Sequence, residues 1–162
     1  MITKYDIIYQ QTHDIDWFCR IGNTAMHFAS NGGLLPDKVN NCEVIGRIQY
    51  AVSLMEEILT LPEQIEINKS YVYDRLGGND SEDAYNSYLE SFVAMAKKGF
   101  ISFDRMLDND MYMWIARPAK GINIDIPIDL LPIYYEGVCP WFAKHKDVVH
   151  VKCLNNEGIR LK

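Results

Sequence analysis

The chain has 162 residues, of which 48% are hydrophobic and 12% aromatic, a composition that favours a folded globular protein over a disordered one. This length predicts a single domain over residues 1–162, with a core that needs no metal or disulfide to stabilise it. The 16 basic and 22 acidic side chains give a net charge of −6, which argues against nonspecific binding to nucleic acid because phosphate neutralisation needs clustered Lys and Arg.

A β-hairpin is the first clear element in the chain. Apolar and polar residues alternate over residues 14–21, Gly22-Asn23 forms a two-residue turn, and Thr24–Ala29 returns. In the register of this hairpin, the predicted core face carries Ile15, Trp17, Cys19, Ile21, Met26 and Phe28. Residues 4–9 are expected to add a further strand beside the hairpin. The opposite face carries Asp16, Phe18, Arg20, Ala25, His27 and Ala29.

Two amphipathic helices are predicted in the middle of the chain. The first begins near Asn40, which can cap it, and Pro62 prevents its continuation. Its apolar stripe consists of Val44, Ile45, Ile48, Val52, Met55, Ile58 and Leu59. The second helix is capped by Asp80 or Ser81 and ends before Gly99. Its stripe consists of Tyr85, Tyr88, Leu89, Phe92, Val93 and Ala96.

A second hairpin follows these helices. Residues 100–107 pair with residues 111–117 across Asp108-Asn109-Asp110, and Pro118 ends the second strand. Residues 148–154 are expected to form another strand, with a turn at residues 155–158 and a short return. The chain therefore predicts an α+β fold, a mainly antiparallel sheet built from hairpins with two amphipathic helices packed on one face.

The four cysteines indicate a reducing compartment. Cys19, Cys42, Cys139 and Cys153 show no CxxC spacing, so neither a zinc site nor a dithiol redox site is expected. We interpret all four as reduced thiols and expect a cytoplasmic protein. Cys139 is interpreted as a loop cysteine packed under Trp141 rather than as a nucleophile, because no oxyanion donor can be named for it.

A polar cluster on the first hairpin is the main candidate site. Asp14, Asp16 and His27 lie close together in the predicted register, with His27 diagonal to Asp16. A carboxylate beside an imidazole can fix the tautomer that a general base needs. The alternative is that His27 and Asp16 simply satisfy each other, and we favour that interpretation. No metal is expected, because this face offers too few ligands.

Two arginines on the second hairpin form a weaker candidate. Arg105 and Arg117 could contact a carboxylate or phosphate through paired N–H groups. Pairing with the adjacent aspartates of the same hairpin is the simpler interpretation.

The leading functional hypothesis is a non-enzymatic, cytoplasmic protein that binds another macromolecule, as an inhibitor or immunity-type partner of a basic protein. It depends on the acidity, on the 10 Tyr and 3 Trp, and on the missing GxGxxG, GxxxxGK[ST], HExxH and GxSxG motifs. No cofactor is expected, and no apolar run approaches the roughly 18 residues of a membrane span. The alternative is a small-ligand protein or an enzyme with a polar site around Asp16 and His27. The oligomeric state is left open, with self-association through a sheet edge as a third hypothesis.

Overall fold

The computed structural model describes residues 3–21, 23–36, 39–78, 81–107, 111–122, 124, 126, 128–131 and 159–160. Within these residues there are four α-helices: α1 (Ile7–Thr12), α2 (Cys42–Ser53), α3 (Lys69–Arg75) and α4 (Glu82–Lys97). The strands are β1 (Asp16–Ile21), β2 (Thr24–Ala29), β3 (Ile65–Ile67), β4 (Ile101–Arg105), β5 (Met111–Pro118) and β6 (Ile159–Arg160). Short 3-10 turns occur at Pro62–Gln64 and Ile128–Leu130.

The strands form one mostly antiparallel sheet. Its order is β1-β2-β4-β5-β3, and β6 pairs with the first residues of β5. The β2–β4 pair is parallel, and the other pairs are antiparallel. The predicted α+β class is therefore confirmed, and so are both predicted hairpins, β1–β2 and β4–β5.

The described side chains on the predicted core face of the first hairpin are buried, namely Ile15, Trp17, Cys19, Met26 and Phe28. Trp17, Met26 and Phe28 are completely enclosed, and the rings of Trp17 and Phe28 stack at 4.1 Å between centroids. Phe28 also stacks on Phe103 of β4, at 4.9 Å. The parallel register, which places Phe28 beside Phe103, explains this contact.

The opposite face of the sheet is buried as well, and both long helices pack there. Phe18 and Ala25 join Ile48 and Val52 of α2 in one apolar cluster. A neighbouring cluster joins Ala29 to the α4 side chains Leu89, Phe92 and Ala96. Both faces of the sheet therefore contribute to the core, whereas the sequence pattern suggested only one.

The N-terminal strand prediction is wrong, because residues 7–12 are helical. Asp6 is the N-cap of α1, and its carboxylate accepts a hydrogen bond from the Tyr9 N–H at 2.7 Å. The predicted start of the next helix is off by one residue: Asn41 caps α2 through the Val44 N–H, while Asn40 binds the Tyr5 backbone. α2 also ends at Ser53, well before Pro62.

The prediction for α4 is confirmed at both ends. Ser81 is the N-cap and accepts from the Ala84 N–H at 3.4 Å. Lys98 is the C-cap, and Gly99 follows with φ of +101°, a conformation that favours glycine. The strand predicted over residues 148–154, the turn after it, Cys139 and Cys153 all lie outside the described residues.

Candidate functional site

The structure joins two of the three predicted cluster residues. His27 Nε2 lies 2.9 Å from Asp16 Oδ1, on neighbouring strands of the first hairpin. A second contact of His27 was not predicted: its Nδ1 lies 2.6 Å from the Ser102 Oγ. Because β2 and β4 are parallel and pair His27 with Ser102, the serine reaches the imidazole from the opposite side. The outcome is a Ser102–His27–Asp16 cluster, without Asp14.

This cluster is enclosed on the side of the serine. His27 is 1% exposed and Ser102 is 0% exposed, whereas about half of the Asp16 side chain faces solvent. The rings of Phe18 and Phe92 flank the imidazole, with ring centroids 5.1 and 6.2 Å from the centroid of the His27 ring. A neutral imidazole satisfies both neighbours if Nε2–H donates to the carboxylate and Nδ1 accepts the serine proton.

Burial limits what the cluster can do chemically. An attacking serine must reach the substrate, and Ser102 lies beneath α4 with no exposed surface. The contacts are those of a satisfied buried histidine. A ligand-binding or catalytic role for Asp16 and His27 stays a prediction.

Asp14 belongs to a different feature, a polar cavity of about 520 Å³, which we call the Asp14 cavity. One carboxylate oxygen of Asp14 accepts a hydrogen bond from the Asn31 N–H at 2.7 Å. Asn31 has a φ of +45°, which asparagine tolerates better than most residues. The Asp14 cavity lies between these two residues, α4 and the ends of α3 and β4. Its remaining lining residues are Arg75, Leu76, Ser87, Tyr88, Ser91, Phe92, Asp104 and Leu107.

A buried ion pair forms one side of the Asp14 cavity. Arg75 Nη2 donates to Asp104 Oδ2 at 2.9 Å, and the two side chains are only 10% and 4% exposed. The Tyr88 hydroxyl donates to the same oxygen at 2.6 Å. Arg75 also donates to the Arg105 carbonyl at 3.3 Å. The Asp104 carboxylate therefore binds both the Arg75 guanidinium and the Tyr88 hydroxyl.

Burial controls protonation in this group. Desolvation raises the pKa of Asp104, against the opposing effects of the Tyr88 hydrogen bond and the Arg75 charge, and the nearby Asp14 carboxylate adds to the rise. Burial and the adjacent Asp104 also raise the pKa of the Tyr88 phenol well above its usual range, so it stays protonated. Desolvation opposes the charge on Arg75, but Asp104 raises its pKa overall.

The two predicted anion-contacting arginines do not meet. Arg117 donates to Glu66 Oε2 through Nε and Nη2, at 2.8 and 2.7 Å, and lies over the Trp114 ring. Among the described residues, its acidic partner is thus Glu66 of β3. Arg105 lies at the other end of β4–β5, against Gly33, where an added Cβ would come within 2.2 Å of its side chain. An anion contact at either arginine stays a prediction.

A surface with exposed apolar side chains lies at the N-terminal end of the chain. Ile7 and Ile8 of α1 are 59% and 74% exposed, and Leu34 in the following loop is 53% exposed. These three residues, which we call the α1 surface, border an open depression of about 650 Å³. Large apolar side chains that cluster in this way are typical of interaction sites.

Buried polar side chains hold α1 in place. Gln10 is buried: its amide nitrogen donates to the Tyr5 carbonyl at 2.9 Å and its oxygen accepts from the Leu35 N–H at 2.7 Å. Asn40 is buried too, and it binds both the N–H and the carbonyl of Tyr5, at 2.9 and 3.0 Å. The rings of Tyr5, Tyr9 and His13 stack along the helix, with centroids 4.8 and 3.9 Å apart.

Sequence reasoning missed the Arg75–Asp104–Tyr88 group and the α1 surface. The group joins residues from α3, β4 and α4, so no local spacing could have indicated it. For α1 a signal was present: Asp6 precedes the helix by one position and can cap it.

Comparisons with protein-family models, with curated proteins and with solved structures found no match. Among the residues that the structure describes, no three His, Cys, Asp or Glu side chains are grouped to hold a metal ion. In the same part of the chain, no helix is long and apolar enough to cross a membrane.

Proposed function

We propose that this protein acts by binding another protein through the α1 surface. The observation that carries the proposal is the exposure of Ile7 and Ile8 on a helix that buried hydrogen bonds hold in position. A six-residue helix is unstable alone in water, so its order depends on Gln10 and Asn40. Such order lowers the entropic cost of binding, because the partner meets a preformed surface.

A basic partner fits this surface best. The whole chain carries a net charge of −6, and Asp6 is exposed beside Ile7. Opposite charges speed association and make it sensitive to salt, while burial of each isoleucine contributes about 1.5–3 kcal/mol. We therefore propose an inhibitor or immunity-type role toward a basic protein. A cytoplasmic location is part of this proposal, and the lack of CxxC spacing among the cysteines of the sequence supports it.

The test compares two glutamine variants at positions of similar exposure, 74% for Ile8 and 68% for Leu54. Ile8→Gln removes apolar area from the α1 surface, and Leu54→Gln removes it from the end of α2, where Leu54 is 68% exposed. In pull-downs from the native host at low salt, we expect a basic protein that binds wild type and Leu54→Gln. Its affinity for Ile8→Gln should be at least about tenfold lower.

Two results would contradict the proposal. One is capture that Ile8→Gln leaves unchanged, which would place the contact elsewhere. The other is a wild-type dimer in light scattering that Ile8→Gln converts to a monomer, because a second copy of the chain would then occupy the α1 surface.

A further inference from the structure

We propose that the Asp14 cavity binds an organic cation, a guanidinium or primary ammonium group on a short apolar chain. This site is separate from the α1 surface and does not depend on the function proposed for that surface. The ligand chemistry follows from the charges, the hydrogen bonds and the apolar walls of the Asp14 cavity.

The charge balance inside the Asp14 cavity is negative. Arg75 and Asp104 neutralise each other across 2.9 Å, and Asp14 then contributes a carboxylate with no second cation among the described lining residues. The two carboxylates line the same cavity and repel each other, and the Asp14 charge adds to the rise in the Asp104 pKa that burial causes. Asp14 is exposed, so a cation can approach it from solvent, and a cation placed between the two carboxylates relieves that repulsion.

The negative charge balance also makes an anion a poor fit for the Asp14 cavity. Among the described lining residues the basic side chain is that of Arg75, and its terminal nitrogens already donate to Asp104 and to the Arg105 carbonyl. It is also mostly buried, and its guanidinium lies 5.6 Å from the Tyr88 ring centroid. An incoming carboxylate or phosphate would have to break these contacts and approach two aspartates.

The walls fit the non-polar part of such a ligand. Leu76, Phe92 and Leu107 supply apolar surface, while Ser87 and Ser91 place hydroxyl groups one helical turn apart on α4. A volume of about 520 Å³ lies within the range of small-ligand pockets and exceeds what a bare inorganic ion needs. The same chemistry is found in a free alkylguanidine and in an arginine side chain of a polypeptide.

The experiment titrates the full chain with butylguanidinium and with its uncharged isostere butylurea, followed by calorimetry and by backbone amide shifts. We expect saturable binding of butylguanidinium only, with shifts centred on Asn31, Leu76 and Ser91. Asp14→Asn keeps an oxygen for the Asn31 N–H but removes the charge, so it should weaken binding about tenfold. Glu56→Gln, a change of the same charge at an exposed site elsewhere, should not.

A second variant and a second probe complete the test. Ser91→Leu fills the Asp14 cavity from an exposed position and should abolish binding without unfolding the chain. A blocked Ala-Arg-Ala peptide that binds more tightly than butylguanidinium would assign the ligand to a polypeptide, and weaker binding would assign it to a free small cation.

Equal affinity for butylurea, or unchanged binding by both Asp14→Asn and Ser91→Leu, would overturn the proposal. Ile8→Gln should bind butylguanidinium like wild type, so failure at the Asp14 cavity is distinguishable from failure at the α1 surface.

Discussion

His27 is held from two sides by residues that are far apart in the chain. Asp16 comes from the same hairpin, whereas Ser102 comes from a strand that follows α4. Because Ser102 is fully buried and His27 nearly so, water cannot replace the serine if it is removed, whereas the Asp16 side of the imidazole is next to solvent. The hydrogen bonds of this cluster therefore bear directly on stability.

The variant Ser102→Ala tests that dependence. It leaves His27 Nδ1 buried without its hydrogen bond, and we expect the free energy of unfolding to fall by about 1–3 kcal/mol. Urea denaturation followed by fluorescence measures the change. Ser53→Ala is the control, because Ser53 is exposed and binds only its own helix, and it should stay within about 0.5 kcal/mol of wild type. Equal stability of the two variants would show that His27 does not depend on the serine.

Residue pairs within one hairpin could be predicted from the sequence, but pairs between distant segments could not. The two-residue turn predicted at Gly22-Asn23 implies a register that places His27 near Asp16, and the strands of the structure have this register. Ser102 and Asp104 have no such local relation to His27 and Arg75, because their positions depend on how β4 docks beside β2. The main polar contacts of the Asp14 cavity could therefore not be predicted from the sequence.

At the level of elements, α1 shows where local patterns mislead. Tyr5, Ile7, Ile8 and Tyr9 are β-branched or aromatic residues, which favour a strand. Capping by Asp6 and tertiary hydrogen bonds from Gln10 and Asn40 favour the helix instead. For α4 the cap, the apolar stripe and the terminal glycine all agree, and the prediction is confirmed.

Alanine substitutions at two glycines, one inside a helix and one just after a helix, should change the stability of the fold in opposite directions. Gly46 lies inside α2 with open space where a Cβ would be, so Gly46→Ala should stabilise the fold by about 0.5–1 kcal/mol. Gly99 follows α4 with positive φ, and an added Cβ would lie 2.8 Å from Ile126 and 2.9 Å from Ile124. Gly99→Ala should therefore destabilise it by about 1–3 kcal/mol.

Thermal and urea unfolding of both variants measure these shifts against wild type. A loss of stability in Gly46→Ala would contradict the open environment assigned to that position. An unchanged Gly99→Ala would mean that neither the backbone conformation nor the close approach of the isoleucines matters there.

For the whole molecule, the parallel β2–β4 pair is the contact that joins the two hairpins. Some 70 residues, including α2, β3, α3 and α4, separate the two strands in the chain. Each strand has neighbours on both sides, and their side chains are almost entirely buried. Separating this pair therefore requires most of the core to open.

Native-state hydrogen exchange should show that the β2–β4 pair opens only when the whole fold unfolds, while α1 opens more easily. We expect the hydrogen-bonded amides of β2 and β4 to exchange only through global unfolding, with a strong dependence on denaturant. Amides of α1, such as the Gln10 N–H that donates to the Asp6 carbonyl, should exchange through smaller local openings. Exchange of β2 at a lower free energy than β5 would contradict a single cooperative sheet.

The long connection between β2 and β4 also has a consequence during synthesis. At translation rates of 5–20 residues per second, β2 would wait roughly 4–14 s for β4 to leave the ribosome. During that interval Met26 and Phe28 lack the strand that covers them in the finished protein. A nascent chain that stalls in this interval presents an apolar hairpin with an unpaired edge, which is the kind of surface that chaperones bind and proteases clear.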